Sequence, residues 1–388
     1  MFQKKDLPSV LFLALLILIV ILTLCQILVV HRHDQRGYHV SKKEQLIQRK
    51  KMYREMIGNH NFRKYKNIAK MEVFRRKIET IITKLNRENN INNSSNITGY
   101  NSDINVNAGT ITHSTGETGN IVLCDPVPPN LVGEISVQNC DATCRLESRL
   151  AVVSGGYWKP KACVSRHHVL IVIPFRDRWR HLTILLHNLV GMLQRQQLEF
   201  RILVAEQFGN ATFNKGRLMN AAFLEANKRF RFHCAIFHDV DLVPENDRNL
   251  YCCPWQPTHL SVAVDEMHYR LKYDLLVGGV LAMTSEHFQL VNGYSNEYWG
   301  WGAEDDDMAY RILLSGLRIM RPSAVVARYR MLRHEKREPS TWSSRTKLLK
   351  SVNKRFQMDG LVNVPYRLVF SRDQPLFVHM MIDVGRPG

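Results

Sequence analysis

The chain has 388 residues, with 53 Lys and Arg against 35 Asp and Glu, a net charge of +18 and 45% apolar residues. That length holds one large or two modest domains with a packed core, which excludes a wholly disordered or fibrous protein. The basic excess does not signal nucleic acid, because much of it lies between Ser41 and Arg87, where no DNA- or RNA-reading motif accompanies it.

Residues 1–6 read as a short cytoplasmic tail carrying Lys4 and Lys5, and residues 7–30 as an almost unbroken apolar run ending at His31-Arg32-His33. Such a run is long enough to span a bilayer, and without a small-residue cleavage motif it reads as a retained signal anchor. Arg32, Arg36, Lys42 and Lys43 sit on the wrong side for a lumenal C-terminal domain by the positive-inside rule. Eight cysteines and the Asn-x-Ser/Thr sequons at Asn92, Asn93, Asn96 and Asn210 outweigh that and place the domain in the Golgi lumen, with the Golgi membrane as a partner through residues 7–30.

Residues 31–120 form a stem, first basic, then rich in Asn, Ser, Thr and Gly and too poor in apolar residues to bury a core. Met71, Phe74, Ile78, Ile81 and Leu85 fall at heptad-like spacing, which would allow a homodimer through the stem, though two heptads do not establish one.

The folded domain spans 121–388. Its first strand is His168–Pro174, followed by a basic turn at Phe175-Arg176-Asp177-Arg178 and a helix marked by Leu182, Leu185, Leu186, Leu189 and Leu193. A second strand at Phe200–Ala205 precedes a helix near Leu218–Phe230, and a third strand at His233–His238 runs into Asp239-Val240-Asp241. Alternating strands and helices predict an α/β fold with a mostly parallel sheet and ligands beyond the strands' carboxyl ends. Further strands are expected at Leu260–Val264 and Leu275–Leu281, a helix at Glu304–Ser315, and a long lid-like loop at Leu332–Lys350.

Residues two apart on a strand share a face, so Asp239 and Asp241 can present paired carboxylates to a hard divalent cation completed by substrate phosphates. Strand-end aspartates also cap turns, and the pair alone is weak evidence. Some sixty residues on, Trp299-Gly300-Trp301-Gly302 leads into Glu304-Asp305-Asp306-Asp307. A helix N-terminus accounts for four acids in a row, but not for the aromatic and glycine residues before them, which suit a sugar platform with carboxylates set against hydroxyls.

In order, Pro174-Phe175-Arg176, Phe213-Asn214, Asp239-Val240-Asp241, Gly278-Gly279, the Trp-Gly-Trp-Gly acid cluster and Arg330-Met331-Leu332-Arg333-His334 resemble the β-1,4-galactosyltransferase family over Cys124–Val384. The resemblance implies a GT-A nucleotide-diphospho-sugar transferase fold and an inverting, Mn²⁺-dependent β-1,4 transfer from a UDP-sugar donor to a GlcNAc-terminated glycan. It implies Mn²⁺ on Asp241, Met331 and His334, although Met331 alone reads as core packing, since a thioether is a soft ligand. Asp305 becomes the general base, assisted by Glu304. Pro174, Phe175, Arg176, Arg178, Phe213, Lys215, Asp239, Val240, Leu276 and Trp301 become the donor pocket. Tyr273, Gly279, Asp305 and Asp306 become the acceptor side. It also implies disulfides Cys124–Cys163 and Cys234–Cys253, leaving Cys140, Cys144 and Cys252 over in the lumen.

Four positions depart from the family pattern. Lys215 replaces an Arg, giving charge without a bidentate fork. Glu266 replaces a Lys and Ala303 a Gly. Leu276 stands where galactosyltransferases carry Tyr, and the space it leaves beside the donor's 2-position favours UDP-GalNAc over UDP-Gal. A plain galactosyltransferase is the alternative within this chemistry, and a carbohydrate-binding relative without turnover the alternative outside it.

Overall fold

A computed structural model describes residues 122–139, 154–335 and 340–387. The segment 7–30, the stem, the sequons at Asn92, Asn93 and Asn96, and Cys140 and Cys144 lie outside the described residues. No helix among those described is long and apolar enough to cross a membrane.

The centre is an eight-stranded mixed sheet. Its strands are β1 (Tyr157–Trp158), β2 (His168–Phe175), β3 (Glu199–Gln207), β4 (Cys234–His238), β6 (Thr258–His259), β8 (Val280–Thr284), β10 (Arg367–Asp373) and β11 (Val378–Asp383). The order is β10-β11-β3-β2-β4-β8-β6, with β1 paired to β3. The four middle strands, β11, β3, β2 and β4, are mutually parallel. On the flanks β10 and β8 run antiparallel to their inner neighbours, so the sheet is parallel only at its heart. A second sheet orders β5 (Leu242–Pro244), β9 (Arg328–Met331) and β7 (Ala263–Val264).

Strand β2 is buried on both faces, as central parallel strands are, which explains its continuous apolar run. Val169, Ile171 and Ile173 face helix α1 (Trp179–Arg195), packing with Leu185, Leu189 and Leu193. Leu170 and Val172 face helix α2 (Lys215–Arg229) and, in the same apolar layer, Met308, Ala309 and Ile312 of helix α4 (Glu304–Leu314). Helix α3 (Ser285–Leu290) is short and buries its own Phe288 in the same layer.

Three expected elements differ. The strand expected at Leu260–Val264 is reduced to Ala263–Val264, paired with β9 in the smaller sheet. The strand expected at Leu275–Leu281 begins at Val280, because Gly278 and Gly279 turn the chain, Gly279 at φ +93°. The loop expected at Leu332–Lys350 contains the start of helix α5 (Trp342–Arg355), capped by Thr341 and buried only at Val352, so its sequence carries almost no apolar stripe. Disulfides join Cys124 to Cys163 and Cys234 to Cys253, and Cys252 is free.

Candidate active site

The site forms where β2, β3 and β4 end. Strand β4 stops at His238, and the backbone turns through Asp239-Val240-Asp241, with the Leu242 N–H donating to the Asp239 carbonyl at 3.3 Å and the Asp239 N–H to the Gly279 carbonyl at 2.9 Å. The two aspartates therefore stand on a turn and reach different partners.

Asp239 meets Lys215 Nζ at 2.6 Å, and the same ammonium lies 3.7 Å from Glu304. Burial alone would lower the Lys215 pKa, but the carboxylates of Asp239 and Glu304 override it and keep the ammonium charged. Lys215 is the first residue of α2, whose N-cap Asn214 accepts from the Arg217 N–H at 2.9 Å and donates to the Asn296 carbonyl. That cap fixes where Lys215 emerges.

Asp241 faces the other way. Its Oδ2 lies 3.3 Å from His334 Nδ1 and 3.5 Å from Arg178 Nη1, and its carbonyl accepts the Leu332 N–H at 2.7 Å. Antiparallel pairing of β5 with β9 sets Met331 opposite Leu242, and Asp265 Oδ1 accepts the Met331 N–H. Asp241 and His334 thus meet at one corner, with Met331 on the adjoining strand. Burial raises the Asp241 pKa, and the neighbouring Asp239 charge adds to it. A cation there would relieve both. His334 Nδ1 faces the Leu332 carbonyl at 2.9 Å, which assigns its proton to that nitrogen and leaves the Nε2 lone pair for a metal, the usual support of an imidazole ligand. Among the described residues no three His, Cys, Asp or Glu converge as a cage, and Met331 packs, partly buried, against the core layer that holds Leu242. The Asp241 carboxylate and the His334 imidazole, with substrate phosphates to complete the shell, fit a divalent cation.

The acid cluster opens α4. Ala303 caps it in the left-handed region at φ 76°, where a β-carbon is strained. Glu304, Asp305 and Asp306 form the first turn, favoured by the helix dipole. Asp307 does not belong with them functionally: it is fully buried and bound by Arg311, Arg355 and Tyr298. Burial raises the Asp305 pKa despite Lys215, and burial with the Asp305 charge pushes Glu304 up to about 7. One Glu304 oxygen is buried without a partner, a group placed for a ligand. A β-carbon at Gly278 would collide with Asp305 Oδ2, so a side chain there would displace that carboxylate.

Trp301 is 61% exposed, on a loop tied down by the Gly300 N–H to the Phe213 carbonyl at 2.8 Å. Arg176 donates to the Ala211 carbonyl and lies 5.2 Å from the Phe213 ring centre. Phe175 is fully buried against α1, and Pro174, Val240 and Phe213 are buried too. Leu276 is 9% exposed, two residues before Gly278, with its N–H on the Tyr273 carbonyl and its own carbonyl on Arg321. Glu266 is exposed on the single turn Asp265–Met267, and Asn210 on the loop after β3.

Sequence reasoning passed over several groups. Buried His238 bonds to the Asp239 carbonyl and to Tyr251, which bonds to Tyr329; burial takes its pKa down to about 4. His259 and Ser261 both reach the Gly278 carbonyl. Their alternation on one face was the available signal.

Two family profiles match the chain: one described as the N-terminal region of glycosyl transferase group 7 over residues 124–254, and one as the N-terminal domain of galactosyltransferase over 258–335. Hamster (Cricetulus griseus) β-1,4-galactosyltransferase 2 is 41% identical over 272 residues, covering 68% of this chain and 73% of the relative. Hamster β-1,4-galactosyltransferase 4 is 42% identical over 270 residues, 69% and 78%. Human β-1,4-galactosyltransferase 1 is 40% identical over 271 residues, 68% of each. The catalytic domain of Drosophila β-1,4-galactosyltransferase 7, solved with xylobiose, superposes at a TM-score of 0.50 with 29% identity, over 56% of this chain and 94% of that one. The chain belongs to the β-1,4-galactosyltransferase family of hexosyltransferases.

Proposed function

We propose that the protein is an inverting β-1,4-galactosyltransferase of GT-A type that moves galactose from UDP-Gal to a terminal GlcNAc of a glycan, in the Golgi lumen, with Mn²⁺ as cofactor. The observation that carries it is the meeting of Asp305 with Gly278 beside the Lys215–Asp239–Glu304 ion cluster. That arrangement supports a carboxylate base on the acceptor side, at the Gly278-Gly279 turn, next to the Asp239–Asp241 turn on the donor side.

Asp305 takes the proton of the acceptor 4-hydroxyl while that oxygen attacks the anomeric carbon; a single displacement inverts the configuration. Glu304 and Asp306 orient sugar hydroxyls, and Trp301 offers its exposed face to the sugar rings. Asp241, Met331 and His334 would hold the cation, which when bound supplies positive charge to the departing UDP. Arg178, 3.5 Å from Asp241, adds cationic charge on the same side. Pro174, Phe175, Arg176 and Phe213 frame the nucleotide, and Tyr273 and Gly279 the acceptor side.

UDP-Gal takes precedence over the expected UDP-GalNAc because the relatives at 40–42% identity are galactosyltransferases. Leu276 is the one observation favouring the second donor. Its buried side chain, just ahead of Gly278, offers an apolar wall without a hydroxyl, a difference worth only about 1–3 kcal/mol of discrimination. Incubating the protein with Mn²⁺, a GlcNAc-terminated acceptor and each donor separately tests the choice. Faster galactose transfer, with a β-1,4 linkage by NMR, supports UDP-Gal; faster GalNAc transfer reverses it.

A further inference from the structure

We infer that His259 and Ser261 are positioning residues for transfer, acting on the catalytic base through the peptide that joins Gly278 to Gly279. The inference rests on Asp305 being that base.

Gly278 and Gly279 are a junction. The Cα of Gly278 carries the close approach of Asp305, and the carbonyl of Gly279 accepts the Asp239 N–H at 2.9 Å. A β-carbon at Gly279 would strike Ser261 Oγ and Leu242, so the dipeptide is clamped from both sides. A shift of this peptide moves the base and the Asp239–Asp241 turn together.

What holds it is the Gly278 carbonyl. His259 Nε2 lies 2.9 Å from that oxygen, and because a carbonyl only accepts, this nitrogen bears the proton. Ser261 Oγ donates to the same oxygen at 3.0 Å and accepts the Val280 N–H at 2.8 Å. Both lone pairs of one carbonyl are taken by two side chains. His259 and Ser261 are themselves buried, at 0% and 2% exposure, so neither bond competes with water. Burial and nearby Arg321 hold the imidazole neutral, so the donor persists throughout the working pH range. Packing alone would not require two donors converging on the carbonyl beneath the base.

The test compares His259→Leu, His259→Gln and Ser261→Ala with Asp305→Asn, measuring kcat, both KM values, donor binding and the folded fraction of the full chain. Loss of either donor should lower kcat per folded molecule by about ten- to a hundredfold, as small misplacements of a catalytic group do. Donor KM and donor binding should stay within about threefold. His259→Gln, whose amide can reach the same carbonyl, should recover most of the loss. An unchanged kcat per folded molecule in both His259→Leu and Ser261→Ala overturns the inference, as does equal loss in His259→Gln and His259→Leu. Should His259→Leu fail to fold, Ser261→Ala decides alone. Transfer retained by Asp305→Asn would instead overturn the assignment of the base.

Discussion

Lys215 sets the working charge of the site. Its ammonium lies between Asp239 and Glu304, and without it the first turn of α4 would gather carboxylates in a buried corner with nothing to keep them ionised. Even with Lys215, Glu304 is raised from an ordinary 4.5 to about 7, and Asp305 is raised too. Burial holds the Asp305 carboxyl above its usual range, so the acidic limb of kcat against pH should lie above that of an ordinary carboxylate. Stability runs the other way. A carboxyl raised on folding contributes stability that is fully present below 4.5 and lost as pH rises through about 7. Chemical denaturation from pH 4.5 to 8 should show that component, and Glu304→Gln should flatten it. Ala303 offers a second reading at this scale. It sits at φ 76°, where the family carries Gly, and Ala303→Gly should stabilise the protein by about 0.5–1 kcal/mol in urea melts. Much of this corner was legible from the residues: the acids, the glycines and the aromatic loop announce themselves by type. Lys215 as a bridge, and Asp307 as a structural acid among functional ones, were not. Four adjacent acids look alike until the helix assigns each a direction.

Among the elements, α5 shows how a segment escapes sequence reading. Its charged face and the proline before it suggest a loop, and one buried residue leaves no periodicity to find. What secures it is polar. Arg355 at its C-terminal end binds Asp307 at 2.6 Å and also pairs with Asp359, while Arg311 joins both acids, tying α5 to α4 through a buried ion cluster. Its other end is freer: Trp342 is 65% exposed, and Arg345 approaches Gly302 beside the Trp301 platform. The Ser340 N–H donates to the Trp301 carbonyl at 3.3 Å, so this end of the chain segment is joined to the aromatic loop. Arg355→Met should leave the buried acids undercompensated and destabilise the fold by about 3 kcal/mol in thermal or urea unfolding. By contrast β2, β3 and β4 were legible because double-sided burial writes an unbroken apolar run, whereas the sheet of β5, β7 and β9 is built from strands too short to show a period.

At the scale of the molecule, the sheet delivers the chemistry. Parallel β2, β3 and β4 end together, and their loops carry the basic turn, the α2 cap and the aspartate turn to one rim, while antiparallel β8 brings the glycine pair from the other side. The Cys234–Cys253 bond ties the start of β4 to the segment after the aspartate turn. Its removal through Cys253→Ser should cost about 2–4 kcal/mol and lower Tm, with turnover at low temperature largely kept. Alternation of strand and helix revealed the parallel heart of this sheet; of the antiparallel flanks, β8 follows the Gly278-Gly279 turn and β10 joins β11 through the turn at residues 374–377, neither of which that alternation announces.

The central claim is that Asp305 removes the acceptor's proton while the rest of the site holds the donor. Acceptor-dependent UDP release by Asp305→Asn, measured beside UDP-Gal binding in the presence of Mn²⁺, tests it most directly. Binding should stay within a few-fold of the parent protein while turnover falls by at least about a thousandfold, near 4 kcal/mol in the barrier. Turnover within tenfold of the parent, with binding intact, would contradict it.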